Sequence, residues 1–142
     1  MSKKKQLPVG FTVNSIIAEE IQSQLQEDML SCAKAHALAL KFSVSPSEIG
    51  HTADALNIRL NRCQLGLFGY PNKKGWEASG VIGLPVPDGF EDALLTLAAD
   101  ASSISCSEFW EFISGYQLSR MHAGYIADKL GIRITNCQIG AF

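Results

Sequence analysis

The sequence predicts a mainly α, mixed α+β fold in which one unit of about 55 residues is used twice. Three observations predict it. A segment recurs at a fixed offset of 74 residues. Each copy carries helix start signals ahead of apolar residues spaced for one helix face. Each copy then runs into alternating apolar and polar residues, the pattern of a strand with one buried face.

The repeat is clearest at its end, where Cys63-Gln64-Leu65-Gly66-Leu67-Phe68 lies over Cys137-Gln138-Ile139-Gly140-Ala141-Phe142. Read back without a gap to Ser31 and Ser105, 13 of 38 pairs are identical; average residue usage would give about two or three. The identities include Gly50/Gly124, Ala53/Ala127, Asp54/Asp128, Leu56/Leu130, Ile58/Ile132 and Arg59/Arg133. All four cysteines are in register, Cys32 with Cys106 and Cys63 with Cys137. Upstream the identities fade, but Asn14 and Asp88 each stand as a helix N-cap before an apolar-periodic run. The expected organisation is a basic tail over 1–13, a first repeat over 14–68, a Gly- and Pro-rich hairpin and linker over 69–87, and a second repeat over 88–142. A copy of this size is marginal alone. The two are therefore expected to pack as a pseudo-symmetric pair or to dimerise.

The first helix is expected from about Ser15 to Glu27, with Ile17, Ile21 and Leu25 on one face; its counterpart runs from about Gly89 to Ala99, with Phe90, Leu94, Leu95 and Leu97. Ser103-Ile104-Ser105 is a candidate strand. The second helix is capped by Ser31 or Ser105 and broken, in the first copy, at Ser43-Val44-Ser45. Ser45 caps a third helix with Pro46 at its first position, where the missing N–H costs nothing. This helix is expected to end near Leu56, and Ile58 to Leu65 to form a strand that contains Cys63. Gly50 and Gly124 fall inside the third helices, where glycine costs about 1 kcal/mol relative to alanine. Close approach of the second helix is the expected compensation.

Helix, short strand, helix, tight turn, helix, strand resembles the order of a winged helix-turn-helix. Ala39-Leu40-Lys41-Phe42-Ser43-Val44-Ser45-Pro46-Ser47-Glu48-Ile49 carries the likeness. Ala39 is the small residue that lets the third helix cross the second, Val44 and Ile49 are the apolar positions after the turn, and Ser43 stands where glycine is frequent. The second copy departs from the pattern, with Ile113 and Gln117 at the positions of Ala39 and Ser43. The Cys-Gln-(Leu/Ile)-Gly-x-Phe tail also resembles a small group of bacterial, regulator-like helix-turn-helix proteins near the molybdate-responsive regulators. That likeness covers about 25 residues per copy.

The resemblance implies a non-enzymatic recognition module, first of all a DNA-binding transcriptional regulator with no cofactor and double-stranded DNA as partner. A third helix lying in the major groove would offer its early residues to base edges. These are Ser45, Ser47 and His51 in the first copy and Ser119, Arg120 and Tyr125 in the second. Arg59, Arg62, Lys73 and Lys74 are candidates for phosphate contacts, the lysines from a hairpin tip shaped by Tyr70-Pro71-Asn72. The alternative is an assembly module with the same fold and no DNA contact, whose partner is a second copy or another protein. A third reading is a thiol metal or redox sensor built on Cys32, Cys63, Cys106 and Cys137. The spacing opposes it: no Cys-x2-Cys knuckle brings ligands together. No catalytic constellation stands out. Asp54-x4-Arg59 and Asp128-x4-Arg133 read as local ion pairs between helix end and strand.

The formal charge is −2, which opposes generic polyanion binding. Residues 1–87 carry nine Lys/Arg and seven Asp/Glu; residues 88–142 carry three and seven. The first copy is therefore the better DNA candidate. No apolar run approaches the 18 residues of a membrane span, and the basic start lacks a following apolar stretch, so a cytoplasmic protein away from membranes is expected.

Overall fold

The computed structural model describes residues 7–71, 74–99 and 102–142, a mixed α+β structure. The start of the basic tail and Lys73 lie outside the described residues. The chain divides into two compact units: Met1–Arg62 with Gln138–Phe142, and Cys63–Cys137. The boundaries fall inside the repeated tails. Each unit holds the helices of one repeat and the tail of the other.

In the first unit, α1 (Ser15–Ser23) starts at Asn14, whose side chain accepts from the amides of Ile16 and Ile17 at 2.9 and 3.3 Å. The helix stops short of Glu27, at a C-cap on Gln24, and Glu27 and Asp28 take left-handed backbone, with φ of 54° and 62°, just before β1 (Met29–Ser31). Ser31 caps α2 (Cys32–Phe42) through the amide of Lys34. Ser43, at φ 55° and ψ 42°, ends that helix, and the Val44 amide closes back on the Ala39 carbonyl at 3.0 Å. Ser45 then caps α3 (Pro46–Ala55), with Pro46 in the first turn. Two helices joined by this three-residue turn bring the chain back to its starting edge, so β2 (Arg59–Asn61) pairs parallel with β1, Leu60 opposite Leu30. Ile17, Ile21, Leu30, Leu38, Ile49 and Ala53 form the interior, and the tail adds Ile139 and Ala141.

The second unit repeats this order. It contains α4 (Trp76–Ser79), α5 (Phe90–Leu97), β3 (Ser103–Ser105), α6 (Cys106–Ser114), α7 (Arg120–Lys129) and β4 (Arg133–Thr135). β3 and β4 pair parallel with Ile104 opposite Ile134. Its core centres on Leu65, Phe90, Leu94, Phe109, Ile113 and Ile126.

Several expectations are corrected. The strand after the third helix is three residues long in each unit and does not reach Leu65. Arg62 and Asn136 adopt left-handed φ of 48° and 49° and end it, so Cys63 and Cys137 lie beyond the strands. The linker carries α4, and the Tyr70 hydroxyl ties it down by donating to the Cys63 carbonyl at 2.8 Å; the tip of the expected hairpin, Asn72 and Lys73, lies outside the described residues. Asp88 does not cap α5: Gly89, at φ 78°, holds the N-cap position with no side-chain bond. The buried pairs of the first helices are Ile17 with Phe90 and Ile21 with Leu94, an offset of 73 rather than 74. Leu95 and Leu97 accordingly face solvent.

Candidate recognition surfaces

The third helices were the expected base-reading elements, and both are largely covered within their own units. α3 buries Ile49, Gly50, Thr52 and Ala53, and α7 buries His122, Ala123, Gly124, Ile126 and Ala127. The helix glycines explain one side of this cover. A methyl on Gly50 would collide with the carbonyl oxygen of Ile139 and stand 2.7 Å from its carbonyl carbon. A methyl on Gly124 would meet the Leu65 carbonyl in the same way, with its carbon at 2.8 Å. The glycines thus admit the backbone of a tail, not the second helix as expected. Leu65 and Ile139 are register-matched, so the same contact is built twice, each time by the tail of the other repeat.

An aromatic residue covers a second side of each helix. Phe11 sets its ring edge-on to His51, with centroids 5.6 Å apart and planes at 71°. Trp76 tilts against Tyr125 at 5.7 Å and 58°. His51 and Tyr125 occupy the same repeat position, and each aromatic comes from the chain segment that leads into its repeat. Trp76 is further fixed by its indole N–H, which donates to the Leu65 carbonyl at 2.9 Å. His51 and Tyr125 are both half-buried. Ser45 and Ser47 are exposed, but Ser45 Oγ accepts from the Glu48 amide and lies 3.0 Å from Ser47 Oγ. Glu48 and Asp54 leave the same helix acidic.

The candidate cations divide between the units. Arg59, the first residue of β2, and Arg62, just after it, are exposed. Arg133 and Asp128 form no ion pair among the described residues, so the local bridge expected in the second repeat is not made. Lys41 is engaged with Glu20 at 3.2 Å, and its hydrogen bond and charge hold that carboxyl below its ordinary range. Lys34 donates to the Gln24 carbonyl at 3.0 Å. In the second unit Lys74 stands 5.4 Å from the Trp76 ring centre, and Lys129 6.0 Å from that of Tyr125. Arg120 stands over Trp110, its guanidinium carbon 3.7 Å from the ring centre, and donates from Nη1 to Gln64 Oε1 at 2.8 Å. Phe11, Gln64, Trp76 and Trp110 were not identified from the sequence. Trp76 gave no signal because it sits in a linker without periodicity. Trp110 could have been singled out, because it faces His36 across the repeat while Arg120 faces Pro46.

Cys32, Cys63 and Cys106 are buried, Cys137 is half-buried, and none of the four is in a disulfide. Burial pushes the Cys63 thiol above its usual range against the opposing pull of the Leu67 and Leu65 backbone, and the neighbouring Cys137 and Cys106 add to the rise. A thiol held protonated is a poor nucleophile and a poor metal ligand. Among the described residues no group of three His, Cys, Asp or Glu side chains is placed to hold a metal ion. His122 is buried at the α7 start, and desolvation lowers its pKa. No helix among the described residues is long and apolar enough to cross a membrane. Comparison with known proteins finds no matching family model, no matching curated protein and no matching solved structure.

Proposed function

We propose that this chain is a non-enzymatic recognition module that works through protein contact, an interaction or assembly unit on a helix-turn-helix frame. One observation carries the reading. In both units the third helix is covered by an exchanged tail on its glycine side and by an aromatic ring at His51 or Tyr125. A base-reading helix needs that outer face open to enter a groove about 12 Å wide. The acidic Glu48 and Asp54 add repulsion from phosphates. In this reading the units are winged-helix-like copies of one ancestor, with the parallel β1–β2 and β3–β4 pairs in the place of a wing. Four cysteines in no disulfide fit a reducing compartment such as the cytoplasm.

DNA binding is the second reading, favoured by the exposure of Arg59, Arg62 and Lys74. A mobility shift on duplex genomic fragments, at low and moderate salt, separates the two. The protein-contact reading expects no retardation even at low salt. Retardation that disappears in Arg59→Gln plus Arg62→Gln, with a salt slope flatter by about one unit per lost contact, would replace it with the regulator reading.

A further inference from the structure

The duplication provides an internal control for one feature of the second unit. At the three register-matched positions the first unit has His36, Pro46 and Gln138 of the exchanged tail, and the second has Trp110, Arg120 and Gln64 of the other tail. Only the glutamine is common. Pro46 is a residue suited to the first position of a helix. Arg120 takes that same first position in α7, where a cation meets the positive end of the helix dipole. A residue in a locally unfavourable place is expected to have a reason beyond the helix.

The geometry supplies one. The guanidinium is fixed twice, by its stack on the Trp110 indole at 3.7 Å and by the Nη1 bond to Gln64 at 2.8 Å. Arg120 is nonetheless exposed, and among the described residues no carboxylate pairs with it. With Nη1 committed to Gln64, the Nε and Nη2 edge remains, the fork that matches the two oxygens of a carboxylate. The rotamer entropy that binding would otherwise cost has largely been lost already in forming the stack.

We propose that Arg120, held on Trp110 and Gln64, is the anchor for a carboxylate carried by a protein partner, an Asp or Glu side chain set among neutral residues. The assignment rests on the protein-contact reading above and names the chemistry of its partner. The choice of carboxylate over phosphate follows from charge. Residues 88–142 carry three basic and seven acidic residues. That field repels a densely charged nucleic acid backbone but costs a single carboxylate little. Trp110 beside the charge offers an apolar edge to the neighbours of that carboxylate, the combination of aromatic and Arg that dominates interface anchors.

The test uses the full chain labelled with 15N and a blocked tripeptide Leu-Glu-Leu, with Leu-Gln-Leu and inorganic phosphate as comparisons. The Arg120 Nε–H and Trp110 indole resonances should shift and saturate with Leu-Glu-Leu and not with Leu-Gln-Leu. Arg120→Gln should weaken that binding by about tenfold or more. Arg120→Lys, which keeps a charge and loses the fork, should fall between. The Trp76 indole, bonded inside the unit to Leu65, reports that each variant keeps its fold. Absence of a shift, or equal affinity in Arg120→Gln, overturns the proposal. Saturation of the same resonances by phosphate at lower concentration than by Leu-Glu-Leu also overturns it, in favour of a phosphate site. The mobility shift on duplex DNA judges the broader reading separately, because it depends on Arg59 and Arg62 in the other unit.

Discussion

Replacing Gly50 by alanine should destabilise this protein, although the same change in an ordinary helix interior stabilises by about 1 kcal/mol. The added methyl would enter space held by the Ile139 carbonyl, with the carbonyl carbon 2.7 Å and the Cα 3.3 Å away. These are backbone atoms, so no rotamer change relieves the clash. The tail must lift, exposing Ile139 and Ala141, which are 1% and 4% exposed in the intact unit. Losing the burial of an isoleucine and one methyl costs about 3 kcal/mol. Set against the helix gain, the net loss is about 2 kcal/mol, or roughly 4–8 °C in Tm for a chain of this size. Thermal and urea unfolding followed by circular dichroism would measure it. A double-mutant cycle adds specificity: in a chain already carrying Ile139→Asp, whose tail is displaced, Gly50→Ala should recover its ordinary stabilising effect. A Gly50→Ala protein as stable as the parent, or more so, would show that the tail does not occupy α3 and would refute the account of the exchanged tails.

Two further predictions concern local chemistry. Burial lowers the His122 pKa below the ordinary 6.5, so below that pH the unfolded chain binds more protons than the folded one. Its contribution is therefore complete above pH 6.5 and declines as the pH falls toward the folded value. His122→Gln should flatten the acid-side fall of stability relative to the parent; identical pH profiles would disprove the link. Ser43 holds φ 55° at the end of α2 and is exposed. Ser43→Gly should relieve that strain and raise stability by up to about 1 kcal/mol in urea unfolding, with a decrease counting against the αL cap.

Much of the fold is legible in the sequence because it is written in short-range chemistry. Ser31, Ser45, Ser105 and Ser119 each cap a helix through an amide three residues on, as Ser-led helix starts should. Pro46 marks the first turn of α3, and Ser43 to Ser45 mark its separation from α2. The ungapped register of the two repeats set the order helix, strand, helix, helix, strand twice over. The limits of local reading show at Asp88 and Gly89, where a good capping residue lost to a glycine that could take left-handed backbone. They show again at Arg62 and Asn136, where positive φ ended strands whose alternation continued further.

The candidate surfaces were less legible, and for a different reason. Sequence put Gly50 and Gly124 at equivalent places and required something close against them. Which segment fills that space depends on atoms 89 residues away in one case and 59 in the other, and no local propensity carries that information. The same holds for Phe11 on His51, Trp76 on Tyr125, and Gln64 on Arg120, pairs that meet only after the chain has folded back. By itself the sequence determined the duplication, the helix starts, the turn between α2 and α3, and the equivalence of the two cysteine pairs. Only the tertiary structure decided that the repeats exchange their tails, that the third helices are covered, and that one exposed arginine is held on an indole. Hydrogen-bonded caps and turns are settled among near neighbours, whereas cover and exposure are settled by packing between distant segments, which sequence periodicity does not encode.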